Sequence, residues 1–317
     1  MTQTGGGNED DGLFAGIEAG GTKFVVGVSR RGALPTARAK FETRDPDTTL
    51  GQAVDWLRAQ GRIKCIGVAS FGPLDLDRAS EGWGHIIDTP KPGWSNFDFV
   101  GQLQRDFDVP IGFDTDVNGA ALAEHLYGAG KGKTSLVYVT VGTGIGGGVI
   151  IDGKVLQGAS HPEIGHFYPR RSPKDWHFTG SCPYHGDCLE GLASGPAIAK
   201  RWGADLSTLA SGHEAHGIVA DYLAQLCHTL FAVTSAETIV LGGGVMATPS
   251  LLERVRYRAN AISGQYFPGR TKQTIVAPSL GNDSGLIGAI ELGRRAAAYA
   301  TSRQASGSLA AGTIQGD

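Results

Sequence analysis

The chain has 317 residues, 41% of them hydrophobic and 19% charged, with a formal net charge of −3. That length accommodates two domains with separate cores, and the charge leaves no electrostatic footprint for nucleic acid. No apolar run reads as the roughly 20 residues that span a bilayer, so no membrane is expected, and a slight acidic surplus suits an enzyme acting on small molecules.

Residues 1–12 have neither a basic start nor an apolar segment, which reads as a disordered leader rather than a secretory signal. Residues 13–29 read as a strand, a glycine turn (Gly20-Gly21-Thr22-Lys23) and a second strand. Apolar residues recur at helical spacing over 48–61, followed by a strand over 62–70, a helix over 97–107 and a strand over 109–113. This is an α/β order. Beyond the loop 114–118 come a helix over 119–127, strands over 135–141 and 148–151, and between these strands a glycine turn, 142–147, that again carries a threonine. The repeated hairpin predicts two related α/β halves facing each other across a cleft. Helices over 195–202 and 215–234, a strand over 238–241, the turn Gly242-Gly243-Gly244, a strand over 274–277 and a helix from 286 to about 298 complete the pattern. The expected domains are a small one, 13–117 plus about 286–300, and a large one, 118–285. The tail from Thr301, rich in Ser, Ala and Gly, is expected to be disordered.

Cys182, His185 and Cys188 stand within seven residues, with Glu190 two positions on and Glu163-Ile-Gly-His166 upstream. Thiols and imidazoles at such spacing suit tetrahedral Zn²⁺. Of His161, His166 and His177, His166 is the preferred fourth ligand and His177 the alternative. Four protein ligands would close the site, so the metal should be structural. The plainer reading is two buried cysteines with a surface histidine between them. Cys65 and Cys227 sit in apolar runs without partners at framework spacing, which fits a reducing, cytoplasmic setting.

The 49 glycines, about 15% against a usual value near 7%, cluster in turns. Gly20, Gly21, Thr22 and Lys23, then Gly142, Thr143 and Gly144, are candidate phosphate cradles, because bare Cα atoms let backbone N–H groups approach anionic oxygens. Each is equally an ordinary hairpin turn when taken alone. The Walker pattern is absent, and the opening glycines join two strands, which disfavours a dinucleotide fold. Asp116 follows a strand and precedes a helix: it is a candidate base for a substrate hydroxyl or else the helix N-cap. Asn118 is a candidate sugar contact or part of the same cap.

Glu18-Ala-Gly-Gly-Thr-Lys23, Asp114-Thr-Asp-Val-Asn118, the run 141–148, Glu163-Ile-Gly-His166, the Cys182 to Glu190 cluster and Leu241-Gly-Gly-Gly-Val245 resemble, in order, the motifs of ROK-family sugar kinases. They span residues 16 to 288. The resemblance implies the actin-like ATPase fold, two ribonuclease-H-like α/β domains around a cleft, and a homodimer. Its Cys-x-x-His-x-x-Cys-x-Glu-Gly run is most similar to the bacterial fructokinase branch, which phosphorylates the 6-hydroxyl of fructose and in some members mannose or glucose. Carried over by position, Asp116 is the general base, Asn118, Glu163, His166 and Glu190 contact the sugar, and His166 also binds zinc. Thr22, Lys23, Thr143 and Gly144 cradle the phosphates of ATP, and Gly242 to Gly244 face the adenosine. Two positions depart from many members: Glu18 replaces an Asp that helps hold Mg²⁺ through water, and Thr115 replaces an Asn that contacts the sugar. His185 stands where others have a third cysteine.

The alternatives within the family are a glucokinase, a mannokinase and a sugar-responsive regulator. The dozen residues before the first strand are too few for the helix-turn-helix that regulators carry. A hexose-binding protein without activity is disfavoured by Asp116, both turns and Glu163.

Overall fold

One sheet plan occurs twice in the computed structural model, which describes residues 12–89, 91–264 and 266–311. The expected leader lies, up to residue 11, outside these residues, as do residues 312–317 of the tail. The chain divides into two units, one made of the residues up to Gly119 and from Gly285 onward, the other of Ala120–Ser284.

In the first unit β1 (Leu13–Ala19), β2 (Lys23–Ser29) and β3 (Ala37–Glu42) form an antiparallel meander. Helix α1 (Pro46–Gln60) follows, with the Asp45 side chain accepting from the Thr48 amide at its start and proline in its first turn, where a missing N–H costs nothing. Its face of Leu50, Ala53, Val54 and Leu57 is buried. Strand β4 (Ile63–Ser70) then pairs parallel to β1. A short ribbon of β5 (His85–Ile86) and β6 (Phe97–Asp98) leads into α2 (Phe99–Asp106), and β7 (Ile111–Thr115) pairs parallel to β4. The sheet order is β3-β2-β1-β4-β7. Beneath it, fully buried Trp94 packs among Phe24, Phe71, Phe97 and Phe99 with ring centroids 5.2–6.1 Å apart, and its indole N–H donates to the Arg44 carbonyl at 2.7 Å.

Helix α3 (Asp116–Tyr127) carries the chain into the second unit. There β8 (Leu136–Val141), β9 (Ile145–Ile151) and β10 (Lys154–Val155) repeat the meander. After α4 (Leu189–Ala193), α5 (Gly195–Trp202) and α6 (Glu214–Thr234), strand β11 (Thr238–Gly242) pairs parallel to β8. Helix α7 (Leu251–Ser263) and the parallel strand β12 (Thr274–Val276) complete the order β10-β9-β8-β11-β12. Strand for strand it is the first sheet again. Helix α6, by length and composition apolar enough to cross a membrane, buries Ile218, Val219, Tyr222, Leu223, Leu226, Cys227 and Leu230 in the core of this unit.

The carboxylate of fully buried Glu124 on α3 accepts from the amides of Ala129, Ser279 and Leu280 and from the Ser284 hydroxyl, at 2.8–3.1 Å. Four donors satisfy a charge that burial would otherwise make costly. The chain leaves the unit there into α8 (Ser284–Ala311). This helix lies against the first sheet so closely that a Cβ on Gly67 would sit on the Ala289 carbonyl.

Helix α8 runs to Ala311, so the tail expected to be disordered from Thr301 is helical over its first eleven residues. No proline occurs between Thr301 and Ala311, so no missing N–H or ring clash stops the helix there. Ile145, Gly146 and Gly147, read in sequence as part of the turn, are strand residues paired with Val141, Thr140 and Val139. Gly147 leaves its side-chain space to Ile164.

Candidate active site and metal cluster

Three parallel strands of the first sheet end flush: Ala19 is paired with Ser70, and Ser70 with Thr115. The first glycine turn and Asp116 therefore leave the same carboxyl edge of the sheet, two strands or about 10 Å apart. Sites in open α/β sheets form at such edges. The Thr115 hydroxyl, not the Asp116 carboxylate, caps α3, accepting from the Asn118 amide at 3.1 Å. Asp116 is half-buried and its Oδ1 accepts from the adjoining Val117 N–H at 2.9 Å. Asn118 is fully buried and donates through Nδ2 to Asp114 Oδ1 at 2.6 Å, while its own Oδ1 has no hydrogen-bond partner among the described residues. Asp114, which sequence reasoning left without a role, also receives the Thr115 amide. Its spacing of four from Asn118 on a helix start was the available signal.

The first turn is closed by Gly20 N–H donating to the Lys23 carbonyl at 3.0 Å. Thr43, just past β3, donates through its hydroxyl to Gly20 O at 2.7 Å and through its amide to Thr22 O at 3.1 Å. Gly21 is half-buried, and the side chains of Thr22 and Lys23 are exposed on the turn. Glu18 lies against the Gly285 backbone at the start of α8.

In the second unit His166, Cys182, His185 and Cys188 bring one ligand atom each to within 4.8 Å of one another. His166 Nδ1 stands 3.8 Å from Cys182 Sγ, 3.5 Å from Cys188 Sγ and 3.2 Å from His185 Nδ1, and Cys182 Sγ is 3.7 Å from His185 Nδ1. Zinc bonds of about 2.0–2.3 Å in a tetrahedron put ligand atoms roughly 3.3–3.8 Å apart, close to the four separations just given, so the donor set suits that ion. His177 is exposed and outside the group. His166 faces two ways, with Nε2 3.8 Å from the Glu163 carboxylate, which is 55% exposed. His161 Nδ1 is 3.4 Å from the same carboxylate. Burial pushes the Cys188 thiol up to about 11, and the neighbouring Cys182 adds to the shift. A cation at the cluster would reverse this by favouring thiolate.

A second support, not foreseen from sequence, holds the same segment. Arg171 pairs with Asp187 at 2.7 Å and reaches the Asp175 and Phe178 carbonyls, while buried Asp175 accepts from the Tyr222 hydroxyl at 2.5 Å and pairs with Arg201. Burial and the Asp175 carboxylate raise the Tyr222 hydroxyl to about 12.

Cys188 is the N-cap residue of α4, and Glu190 lies in its first turn. Glu190 Oε2 accepts from Ile145 N–H at 2.9 Å, so it fastens the end of the second glycine turn. Gly195 N–H holds the other end through Gly142 O at 2.8 Å. Thr143 points outward, exposed. Gly242 pairs with Thr140, so the turn Gly242 to Gly244 leaves the same edge as the second turn. Gly243 has φ +93°, and a Cβ there would overlap the Val141 backbone. Gly142 to Gly144 and Gly242 to Gly244 thus sit side by side.

A duplicated sheet with glycine turns at matching carboxyl edges, and a carboxylate heading the helix after the last parallel strand of the first copy, defines a phosphotransferase of the actin-like ATPase fold. The ROK family model matches residues 14–296, and the chain belongs to the ROK family. It is 47% identical over 291 residues to a fructokinase of Zymomonas mobilis, covering 89% of this chain and 97% of that protein. It is 39% identical over 291 residues to a fructokinase of Streptococcus mutans, covering 90% and 99%. The crystal structure of a ROK hexokinase from Thermus thermophilus superposes with a TM-score of 0.74 at 27% identity, over 89% of this chain and 98% of that one. The protein is an ATP-dependent sugar kinase.

Proposed function

We propose that the protein transfers the γ-phosphoryl group of ATP to the 6-hydroxyl of fructose. The observation that carries the chemistry is at the carboxyl edge of the first sheet. Thr115 does the capping there, so the Asp116 carboxylate is spared that task at a strand end flush with a glycine turn. Asp116 accepts the proton of the attacking hydroxyl. The remaining catalysis is positioning and charge neutralisation, since phosphoryl transfer passes through a loose transition state with its charge on the phosphoryl oxygens.

In this reading Gly20 to Lys23 and Gly142 to Gly144 present N–H and hydroxyl donors to the phosphates, and Gly242 to Gly244 face the adenosine. Glu163, His166 and Glu190 contact the sugar hydroxyls. Asn118 acts from beneath, holding Asp114 and the start of α3. ATP enters as its Mg²⁺ complex. Glu18, Asp114 and Asp116 are carboxylates at this edge of the first sheet, oxygen donors of the kind Mg²⁺ takes. Zinc at the cluster supplies structure rather than chemistry, because all four of its positions are filled by protein atoms. A homodimer, implied by the resemblance, is tested by sedimentation. Four reduced cysteines, two of them in the cluster, support a cytoplasmic location.

Asp116→Asn tests the base. Turnover should fall by about 10³-fold, within the range for a lost general base, while fructose still binds. Near-normal turnover would remove Asp116 from the mechanism. Assay of the wild type against fructose, mannose and glucose tests the substrate, with the highest kcat/KM expected for fructose.

A further inference from the structure

The loop before Trp94 carries a lysine that no feature of the sequence reading used. A Cβ built on Gly21 would lie 3.1 Å from Lys91 Cε and 3.7 Å from Lys91 Nζ. The ammonium group therefore stands over the middle of the first glycine turn. Lys91 is half-buried, and no carboxylate lies within ion-pair distance of it among the described residues. An unpaired ammonium held beside a glycine turn has one natural complement, an anionic oxygen.

The placement is built rather than incidental. Trp94 is fully buried in the aromatic cluster, and its amide donates to Lys91 O at 3.1 Å. Thr89 and Ser95 close the loop: Thr89 N–H donates to Ser95 Oγ at 3.0 Å, and Ser95 Oγ donates to Thr89 O at 2.8 Å. The Trp94 indole donates to Arg44 O, next in chain to the Thr43 that pins Gly20 and Thr22. Lysine loop and glycine turn thus hang from one two-residue scaffold, Thr43-Arg44, which fixes the ammonium relative to the turn.

We propose that Lys91 is a catalytic residue of the phosphoryl transfer, its ammonium contacting the phosphoryl oxygens at the first glycine turn and neutralising charge that grows as the group moves. This rests on the reading of Gly20 to Lys23 as a phosphate cradle. Lys23, the lysine within the turn, is exposed, whereas Lys91 approaches from a braced loop and loses less freedom on making the contact.

Lys91→Met keeps an unbranched side chain as far as the ε position and removes the ammonium group. With fructose and MgATP, kcat should fall by about 10²-fold, the usual loss on removing one preorganised transition-state donor, with the fructose KM unchanged within about twofold and the melting temperature unaltered. Lys91→Arg should recover part of the loss, which a packing role would not predict. Thr22→Val, on the exposed face of the turn, separates the two layers of the argument. If Thr22→Val raises the ATP KM but Lys91→Met leaves kcat within twofold, the turn binds phosphate and Lys91 has no part in transfer. If Thr22→Val leaves the ATP KM unaltered, the cradle reading fails and takes the proposal with it. A Lys91→Met defect confined to the fructose KM would also overturn it, by assigning the lysine to the sugar.

Discussion

The two glycine turns occupy equivalent places in the duplicated sheet, yet they are fastened by different means. The first is latched by its own meander, through the hydroxyl and amide of Thr43. The second is latched from outside, by the Glu190 carboxylate on Ile145 N–H, and Glu190 stands on a helix whose N-cap residue is the metal-ligand candidate Cys188. Duplication of a fold therefore reproduced the strand ends but not the latches. One turn depends on local backbone geometry, the other on a cluster 20 to 50 residues further along the chain.

Stripping the zinc proposed for the cluster is the strongest way to break this comparison. Closing a loop on zinc contributes folding free energy directly, so chelation should lower the melting temperature by about 10 °C or more and weaken fructose binding in the same titration. Calorimetry on metal-free protein checks it, and unchanged sugar affinity would uncouple the cluster from the second turn. Next in size is Gly243→Ala, where both a positive φ and the Val141 backbone oppose a side chain; it should cost about 3 kcal/mol. Gly142→Ala is the control, since its Cβ meets nothing within 4 Å, and any loss of activity there reports on the ligand rather than on the fold. Denaturant melts of the two variants separate the cases.

Glu190→Gln retains an oxygen for Ile145 N–H but removes the charge, and should lower kcat/KM about tenfold, matching one charge-assisted hydrogen bond. The corresponding Thr43→Val in the first turn should raise the ATP KM and leave fructose binding alone. The smallest effect concerns the thiols. Burial raises Cys65 and Cys227 to about 12, so the folded state keeps their protons where the unfolded chain, near 9, releases them. Their contribution to stability is whole below pH 9 and is lost as pH rises toward 12. At pH 8 a thiol reagent should leave both unreacted in the native protein, while Cys182 and Cys188 become reactive after chelation.

Much of this was legible in the sequence because it is written in local chemistry. The opening hairpin, the helix beginning near residue 48 and the repeated glycine turns followed from period and turn residues, and the donor types at 182–188 pointed to a candidate metal cluster. Other elements were hidden. Strand β3 alternates Arg38, Lys40 and Glu42 outward in keeping with an edge strand, and those charges masked it. Helix α7 buries only Leu251, Val255 and Ala259, a narrow stripe amid arginines. The choice between cap and base at Asp116 could not be made locally, since Thr115 and Asp116 are both good cap residues and only the folded backbone shows which hydroxyl or carboxylate meets the Asn118 amide.

The sequence by itself determined the duplicated α/β plan, the glycine turns and three of the four metal-ligand candidates, because each depends on residues within a few positions of one another. Tertiary structure alone decided that His166 rather than His177 completes the cluster, that Glu190 latches the second turn and that Lys91 stands over the first. Each of these joins side chains separated by tens of residues, and such meetings are set by how strands register and helices pack, which no local spacing records.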